Sequence, residues 1–185
     1  VDEIYQGLVY DVADYTALAI SNECFVINSF SKYFGMTGWR IGWMVVPEFY
    51  VDAIDRIAQN IFLAPPTVSQ YAALTALKAE TQIELDARRD EFKQRRDFLL
   101  PALEQLGFDI AVKPQGAFYI YANCEKFTDD SFNWVKRLLN EQGVALTPGL
   151  DFGDYQAEKH CRFAYTQSLD VLEQAVDKID AFIRA

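Results

Sequence analysis

Two short apolar runs, residues 24–28 (C-F-V-I-N) and 41–46 (I-G-W-M-V-V), constrain this chain more than any other feature. Both are too short for ordinary helices and rich in β-branched and aromatic side chains, so they read as strands. Neither alternates with polar residues. Both are therefore expected to be buried, in the style of a parallel sheet covered by helices. Between them lies a glycine-containing loop that carries Ser29, Ser31, Lys32 and Arg40.

Beyond this pair the pattern turns helical. Pro47 opens a stretch with Tyr50, Ile54, Ile57 and Ile61 at helical spacing. Thr67 and Gln70 form a capping-box pattern before Ala72, Ala73 and Leu74. A charged segment from Thr81 to Gln105 predicts a long, partly exposed helix, with Phe92, Phe98 and Leu99 on one side and a kink or fresh turn at Pro101. The pattern changes near Gly107. Residues 108–112 and 117–122 read as strands, and residues 131–142 as an amphipathic helix with Phe132, Val135, Leu138 and Leu139 inward and Gly143 as its stop. Val144–Thr147 and Arg162–Tyr165 read as further strands. Ser168 is expected to cap a last helix whose Leu172, Val176, Ile179 and Phe182 share a face. The expected fold class is α/β: a mostly parallel sheet with helices over residues 1–80, a linking helix over 81–106, and a small α+β domain over 107–185.

Composition excludes several functions. A chain of 185 residues that is 51% hydrophobic can bury a sizeable core, and 15% aromatic residues argue against disorder. A net charge of −10 argues against nucleic acid or an anionic membrane as partner. The three cysteines (Cys24, Cys124, Cys161) cannot all pair and show no CxxC spacing, which suits reduced thiols in a cytoplasmic protein. With His160 the only histidine, no metal site is expected. No apolar run is long enough to span a bilayer, and no signal peptide is visible.

Lys32 is the centre of the chemical argument. A lysine amine attacks carbonyls only when deprotonated, and burial or nearby positive charge favours that form. An aldehyde cofactor can then trap it as a Schiff base, pyridoxal phosphate being the common case. Taken singly, a lysine is a solvated surface charge; its neighbours change the reading. Arg40 offers a planar fork of donors for phosphate oxygens, and Ser29 and Ser31 add hydroxyls. Alone, these would be a glycine-rich turn with a surface arginine. At the start of the chain Asp2, Glu3, Ile4 and Tyr5 supply a carboxylate and a phenol, which alone would be an ordinary loop after a strand.

The order D-x-x-Y, S-x-S-K and G-x-R-x-G, here Asp2…Tyr5, Ser29…Lys32 and Gly38…Gly42, resembles the class I/II (fold-type I) aminotransferases of the aspartate aminotransferase family. The resemblance continues through Pro114–Tyr119, Pro148–Gly153 and Cys161–Tyr165, and so covers essentially the whole chain. It implies that residues 1–80 are the C-terminal part of a large pyridoxal 5'-phosphate (PLP) domain. Lys32 would hold the cofactor and move the proton. Asp2 would pair with the pyridinium nitrogen and Tyr5 with the ring oxygen. Ser29, Ser31 and Arg40 would bind phosphate. Arg162 would grip the substrate α-carboxylate, although by sequence alone it could equally be a surface arginine on an edge strand. The resemblance further implies amino acid and 2-oxo acid substrates and a homodimer.

The family's N-terminal arm, phosphate loop, ring-stacking aromatic and ring-oxygen asparagine would precede Asp2. The chain is therefore expected to be the C-terminal half of an enzyme and inactive by itself. One branch of the family reads dicarboxylates with an arginine shortly before a Pro-Pro pair; Ile57–Leu63, ahead of Pro65 and Pro66, contains no base, which weakens an aspartate-specific reading. Two alternatives share the motifs: a C–S lyase of the same fold, and a ligand-sensing aminotransferase-like domain of a transcription regulator.

Overall fold

The computed structural model describes all residues from Val1 to Ala185, and they form two compact units, residues 1–90 and 91–185.

In the first unit, strand β1 (Val26–Ser29) pairs antiparallel with strand β2 (Gly42–Val45), Val26 opposite Val45 and Ser29 opposite Gly42. The expected mostly parallel sheet is thus corrected. The intervening loop returns directly through a short 3-10 turn at Thr37–Trp39, and a direct return gives antiparallel pairing, whereas parallel strands need a crossover. Parallel pairing is confined to the bridge between Asp2 and Ile27, where Glu3 N–H donates to Ile27 O (2.8 Å) and Ile27 N–H to Val1 O (3.0 Å). Burial is corrected too. Every residue of β2 is exposed despite its apolar sequence. The buried centre of this unit is Phe30, Met36, Ala73 and Ala76, with Phe34, Ile41 and Ala72 packed around it.

Helix α1 (Val51–Ile61) follows a single 3-10 turn, Glu48–Tyr50, that starts at Pro47. The helical spacing of its apolar residues is real, yet none of α1 is buried. Helix α2 (Thr67–Ala76) begins one residue earlier than a capping box requires. Pro66 holds the cap position, Thr67 lies inside the helix, and Gln70 Nε2 donates to Pro65 O (2.9 Å) instead of reaching the cap.

Helix α3 (Ala79–Leu106) runs unbroken through Pro101. Proline removes one N–H from the ladder, and the burial of Leu99, Leu100 and Leu103 around it holds the helix together. Its residues from Glu91 onward belong to the second unit. There strands β3 (Tyr119–Asn123), β4 (Thr147–Pro148) and β5 (His160–Ala164) form an antiparallel sheet in the order β3-β5-β4. Of the strand expected over residues 108–112, only the bridge between Asp109 and Asn123 forms.

Helix α4 (Ser131–Gln142) is capped by Asp130, which accepts from Asn133 N–H (3.0 Å), and ends at Gly143 in the left-handed region. Its buried face is Ser131, Trp134, Val135 and Leu138, while Phe132 and Leu139 are exposed. Helix α5 (Leu169–Arg184) buries Leu172, Ile179 and Phe182, and Ser168 holds its cap position without a side-chain hydrogen bond to the helix backbone. Phe108 gathers Phe127, Trp134 and Phe163 at ring separations of 4.8–6.1 Å. Truncating the fully buried Leu138 to alanine is expected to cost about 2–5 kcal/mol, read as a lowered urea midpoint.

One buried charge makes this unit acid-sensitive. Arg96 is 1% exposed and donates to Asp97 and to Pro114 O (2.9 Å). Burial pushes the Asp97 pKa up, but hydrogen bonds and charge from Lys93 and Arg96 outweigh it, so the carboxyl sits below its ordinary range. A depressed folded-state pKa contributes stability above the unfolded value and loses it as pH falls through the folded one. Unfolding below about pH 4 is therefore expected to be milder in Asp97→Asn, which is already destabilised at neutral pH. Parallel acid titrations by circular dichroism check this.

Candidate functional site

The carboxyl ends of two neighbouring parallel segments, Val1–Glu3 and β1, lie side by side, and the residues singled out by sequence follow them. Ligands commonly bind beyond strand carboxyl ends in α/β folds. Asp2 is exposed, with Oδ1 accepting from Ile4 N–H (3.0 Å). The loop behind it is anchored by Glu3, whose Oε1 accepts from Ala17 N–H (2.7 Å) and from the Thr16 hydroxyl (3.0 Å). Buried Asn28 then ties this loop to the end of β1. Its Nδ2 donates to Gln6 Oε1 (2.9 Å), and its Oδ1 accepts from Ser29 N–H (2.7 Å).

That tie brings two distant residues together. Lys32 Nζ lies 5.6 Å from the centre of the Tyr5 ring. Lys32 is partly buried, in a turn closed by Gly35 N–H donating to Lys32 O (2.9 Å). Ser29 Oγ lies 2.9 Å from Ser31 Oγ and accepts from Ser31 N–H (3.0 Å), which folds the two hydroxyls onto one side of the loop. Thr37 Oγ1 donates to Ser31 O (2.7 Å), and Arg40 Nη1 to Thr37 O (3.0 Å), so a short hydrogen-bonded chain links the arginine to the serines. Arg40 is exposed and left-handed, at φ 51°. Gly42 has no alternative here: a β-carbon would stand 2.6 Å from Asn28 O.

Asp2, Tyr5, Ser29, Ser31, Lys32 and Arg40 thus share one unit, carried by two adjoining loops. Arg162 belongs to the other unit, on β5. Its guanidinium lies between the rings of Tyr119 (4.1 Å) and Phe152 (4.6 Å), and Nη2 reaches Thr147 Oγ1 (3.3 Å). Its Nε is buried with no protein partner. It lines a cavity of about 530 Å³ with Tyr121, Asn123 and His160, where the His160 ring stacks on Tyr121 at 5.0 Å. The aromatic clamp is what the sequence reading missed. Tyr119 and Phe152 fall inside two motif blocks, but only pairing across the sheet and the turn after β4 shows what they touch. Under the carboxylate-binding role that the resemblance implies for Arg162, replacing Phe152 with leucine is expected to weaken that binding by about 1 kcal/mol, roughly fivefold, checked by titration with a 2-oxo acid.

Among other groups, all three cysteines are free thiols, and no cluster of three or more His, Cys, Asp or Glu side chains is arranged to hold a metal. No helix is long and apolar enough to cross a membrane.

The family model for aminotransferase class I and II matches residues 1–179. The chain is 38% identical over 184 residues to the valine–pyruvate aminotransferase of Mycobacterium tuberculosis, covering 98% of this chain and 47% of that protein. It is 36% identical over 196 residues to an aspartate aminotransferase of Geobacillus stearothermophilus, covering 100% of this chain and 48% of that one. The crystal structure of an aminotransferase from Mycobacterium tuberculosis superposes with a TM-score of 0.94 at 37% identity, over 99% of this chain and 48% of that structure. The chain therefore spans about half the length of the curated relatives it matches. These matches show that the chain belongs to the class I and II aminotransferases.

Proposed function

We propose that this chain carries the lysine-bearing half of a pyridoxal-phosphate-dependent aminotransferase, which moves an amino group between an L-amino acid and a 2-oxo acid. The single observation that carries the reading is Lys32 set beside the Tyr5 ring, with the Ser29–Ser31 pair and Arg40 in the same loop. The chemistry of this donor set fits the cofactor: two hydroxyls and a guanidinium for a phosphate, a primary amine for an aldehyde, a carboxylate for a ring nitrogen.

When bound, the cofactor supplies an acceptor for the electron pair left as the substrate Cα–H bond breaks. Everything else falls to the chain. Lys32 Nζ would anchor the aldehyde and, as a free amine, would be the base and acid that moves the substrate Cα proton. Asp2 would hold a proton on the ring nitrogen, and Tyr5 Oη would donate to the ring oxygen. Ser29, Ser31 and Arg40 would hold the phosphate. Arg162 orients the substrate through its α-carboxylate, which every amino acid and 2-oxo acid shares. Because the chain spans half of its relatives, turnover is proposed for the assembled, homodimeric enzyme and not for these 185 residues alone.

The test is exchange of a labelled amino group. The whole enzyme should move nitrogen-15 from an amino acid to a 2-oxo acid only when both are present, and the isolated chain should not. Release of ammonia without transfer would make it a lyase, and binding without turnover a sensor.

A further inference from the structure

Lys32 and Tyr5 are far apart in sequence. Besides the Asn28–Gln6 tie, a second side chain joins their loops: Tyr33, which the transfer chemistry does not use. The Tyr33 ring lies flat against Gly7. A β-carbon on Gly7 would come within 2.6 Å of Cγ and 2.9 Å of both Cδ atoms, and Gly7 has φ +88°, so glycine is required there on two counts. Gly7 N–H donates to Asp14 Oδ2 (2.7 Å), which fixes the segment just after Tyr5 from its other side. At the far end of the ring, Tyr33 Oη donates to Asp86 Oδ1 (2.8 Å) on α3, with Gln82 Oε1 at 3.2 Å. Neither acceptor is loose: Arg89 Nη1 holds Asp86 (2.9 Å), and Gln82 Nε2 donates to Ala76 O (2.7 Å).

We propose that Tyr33 is a positioning residue, a strut clamped between Gly7 and Asp86 that sets the distance from the Lys32 amine to the Tyr5 phenol. The proposal rests on Lys32 being the cofactor lysine. Its physical content is that the two residues meeting at 5.6 Å are held by a third one pinned at both ends. The strut does not titrate in the working range. Burial first, then the hydrogen bond and charge of Asp86, push the Tyr33 phenol up to about 12, so it remains a donor throughout neutral pH.

Tyr5 acts on the ring oxygen of the lysine-bound cofactor by donating to its charged form, which lowers the pH at which the visible absorbance changes. Withdrawing Tyr5 raises that midpoint. The experiment is a spectrophotometric pH titration of the whole, cofactor-loaded enzyme as wild type, Tyr33→Phe and Tyr33→Ala, with thermal melts alongside. Tyr33→Phe keeps the ring on Gly7 and loses only the Oη bonds. It should raise the midpoint by about 0.3 pH unit. Tyr33→Ala removes the strut. It should raise the midpoint by about one unit and lower kcat roughly 10- to 100-fold with little change in KM, the penalty of a misplacement near 1 Å.

The phenylalanine variant should recover most of what alanine loses. If the wild-type enzyme titrates and both variants keep its midpoint while melting earlier, Tyr33 is only a packing residue and the proposal is wrong. Should Tyr33→Ala fail to fold, an unshifted Tyr33→Phe midpoint overturns it alone. A wild-type enzyme with no pH-dependent absorbance, or with the cofactor on another lysine, removes the reading on which the proposal stands.

Discussion

Lys32→Ala is expected to lower kcat for amino-group transfer by about 10³-fold or more, roughly 4 kcal/mol of transition-state stabilisation. Two losses combine. The variant has no amine to anchor the aldehyde and no base at the substrate Cα. Lys32→Arg should be nearly as inactive despite its charge, because a guanidinium stays protonated and can neither attack a carbonyl nor accept the proton. Stability should barely change, since Lys32 is only partly buried on a loop whose shape is held by Gly35, Ser31 and Thr37. Single-turnover absorbance with an amino acid, beside a thermal melt, checks both. Transfer at a tenth of the wild-type rate would mean that another group supplies the base.

Arg162→Ala carries the second largest effect, and it should appear in KM. A bidentate guanidinium–carboxylate pair uses two charge-assisted hydrogen bonds, at the lower end of their range about 1.5–2 kcal/mol each, so kcat/KM should fall about 10²- to 10³-fold for every α-amino acid and every 2-oxo acid alike. The surroundings of the wild-type arginine suit the role proposed for it. Its plane is held by Tyr119 and Phe152, one donor is on Thr147, and Nε is buried with no protein acceptor. A buried donor without a partner costs free energy until an acceptor arrives. An amine substrate lacking the carboxylate separates this role from general damage. Its slow transfer should be the same in wild type and variant, because the lost contact is one it never made. Equal losses for acid and amine would place the effect of Arg162 in folding of the β3-β5-β4 sheet instead.

What could be read from the residues, and what could not, divides along physical lines. Helix α4 was legible to its ends from the amphipathic period and Gly143, while its cap, Asp130, emerged only in the structure. The two strands around the lysine loop were legible as strands, since short β-branched runs have few other uses. Their direction was misread, because pairing depends on the path of the loop and not on the apolar pattern. Burial of β2 was misread for a related reason. A run such as Trp43-Met44-Val45 signals surfaces that tend to be covered, while exposure depends on which segments are there to cover them. Phe132 and Leu139 show the same limit within one helix: both fit the apolar spacing, yet the buried stripe is centred on Trp134 and Leu138.

Of the candidate site, the grouping of Ser29, Ser31, Lys32 and Arg40 in one loop was legible from their spacing, and the roles of these residues are proposals. The site was not legible where a common residue acquires a role by contact. Tyr33, Tyr119 and Phe152 are ordinary aromatics in the sequence. Only the flat packing of Tyr33 on Gly7, and the two rings on either side of Arg162, distinguish them from core.

The most direct measurement of the central claim is borohydride reduction of the assembled enzyme with its pyridoxal phosphate bound, followed by intact mass and peptide mapping. One reduced cofactor per chain is expected, on the peptide that contains Lys32, and none in Lys32→Ala. A cofactor fixed to any other lysine, or adducts scattered over several of them, would contradict it.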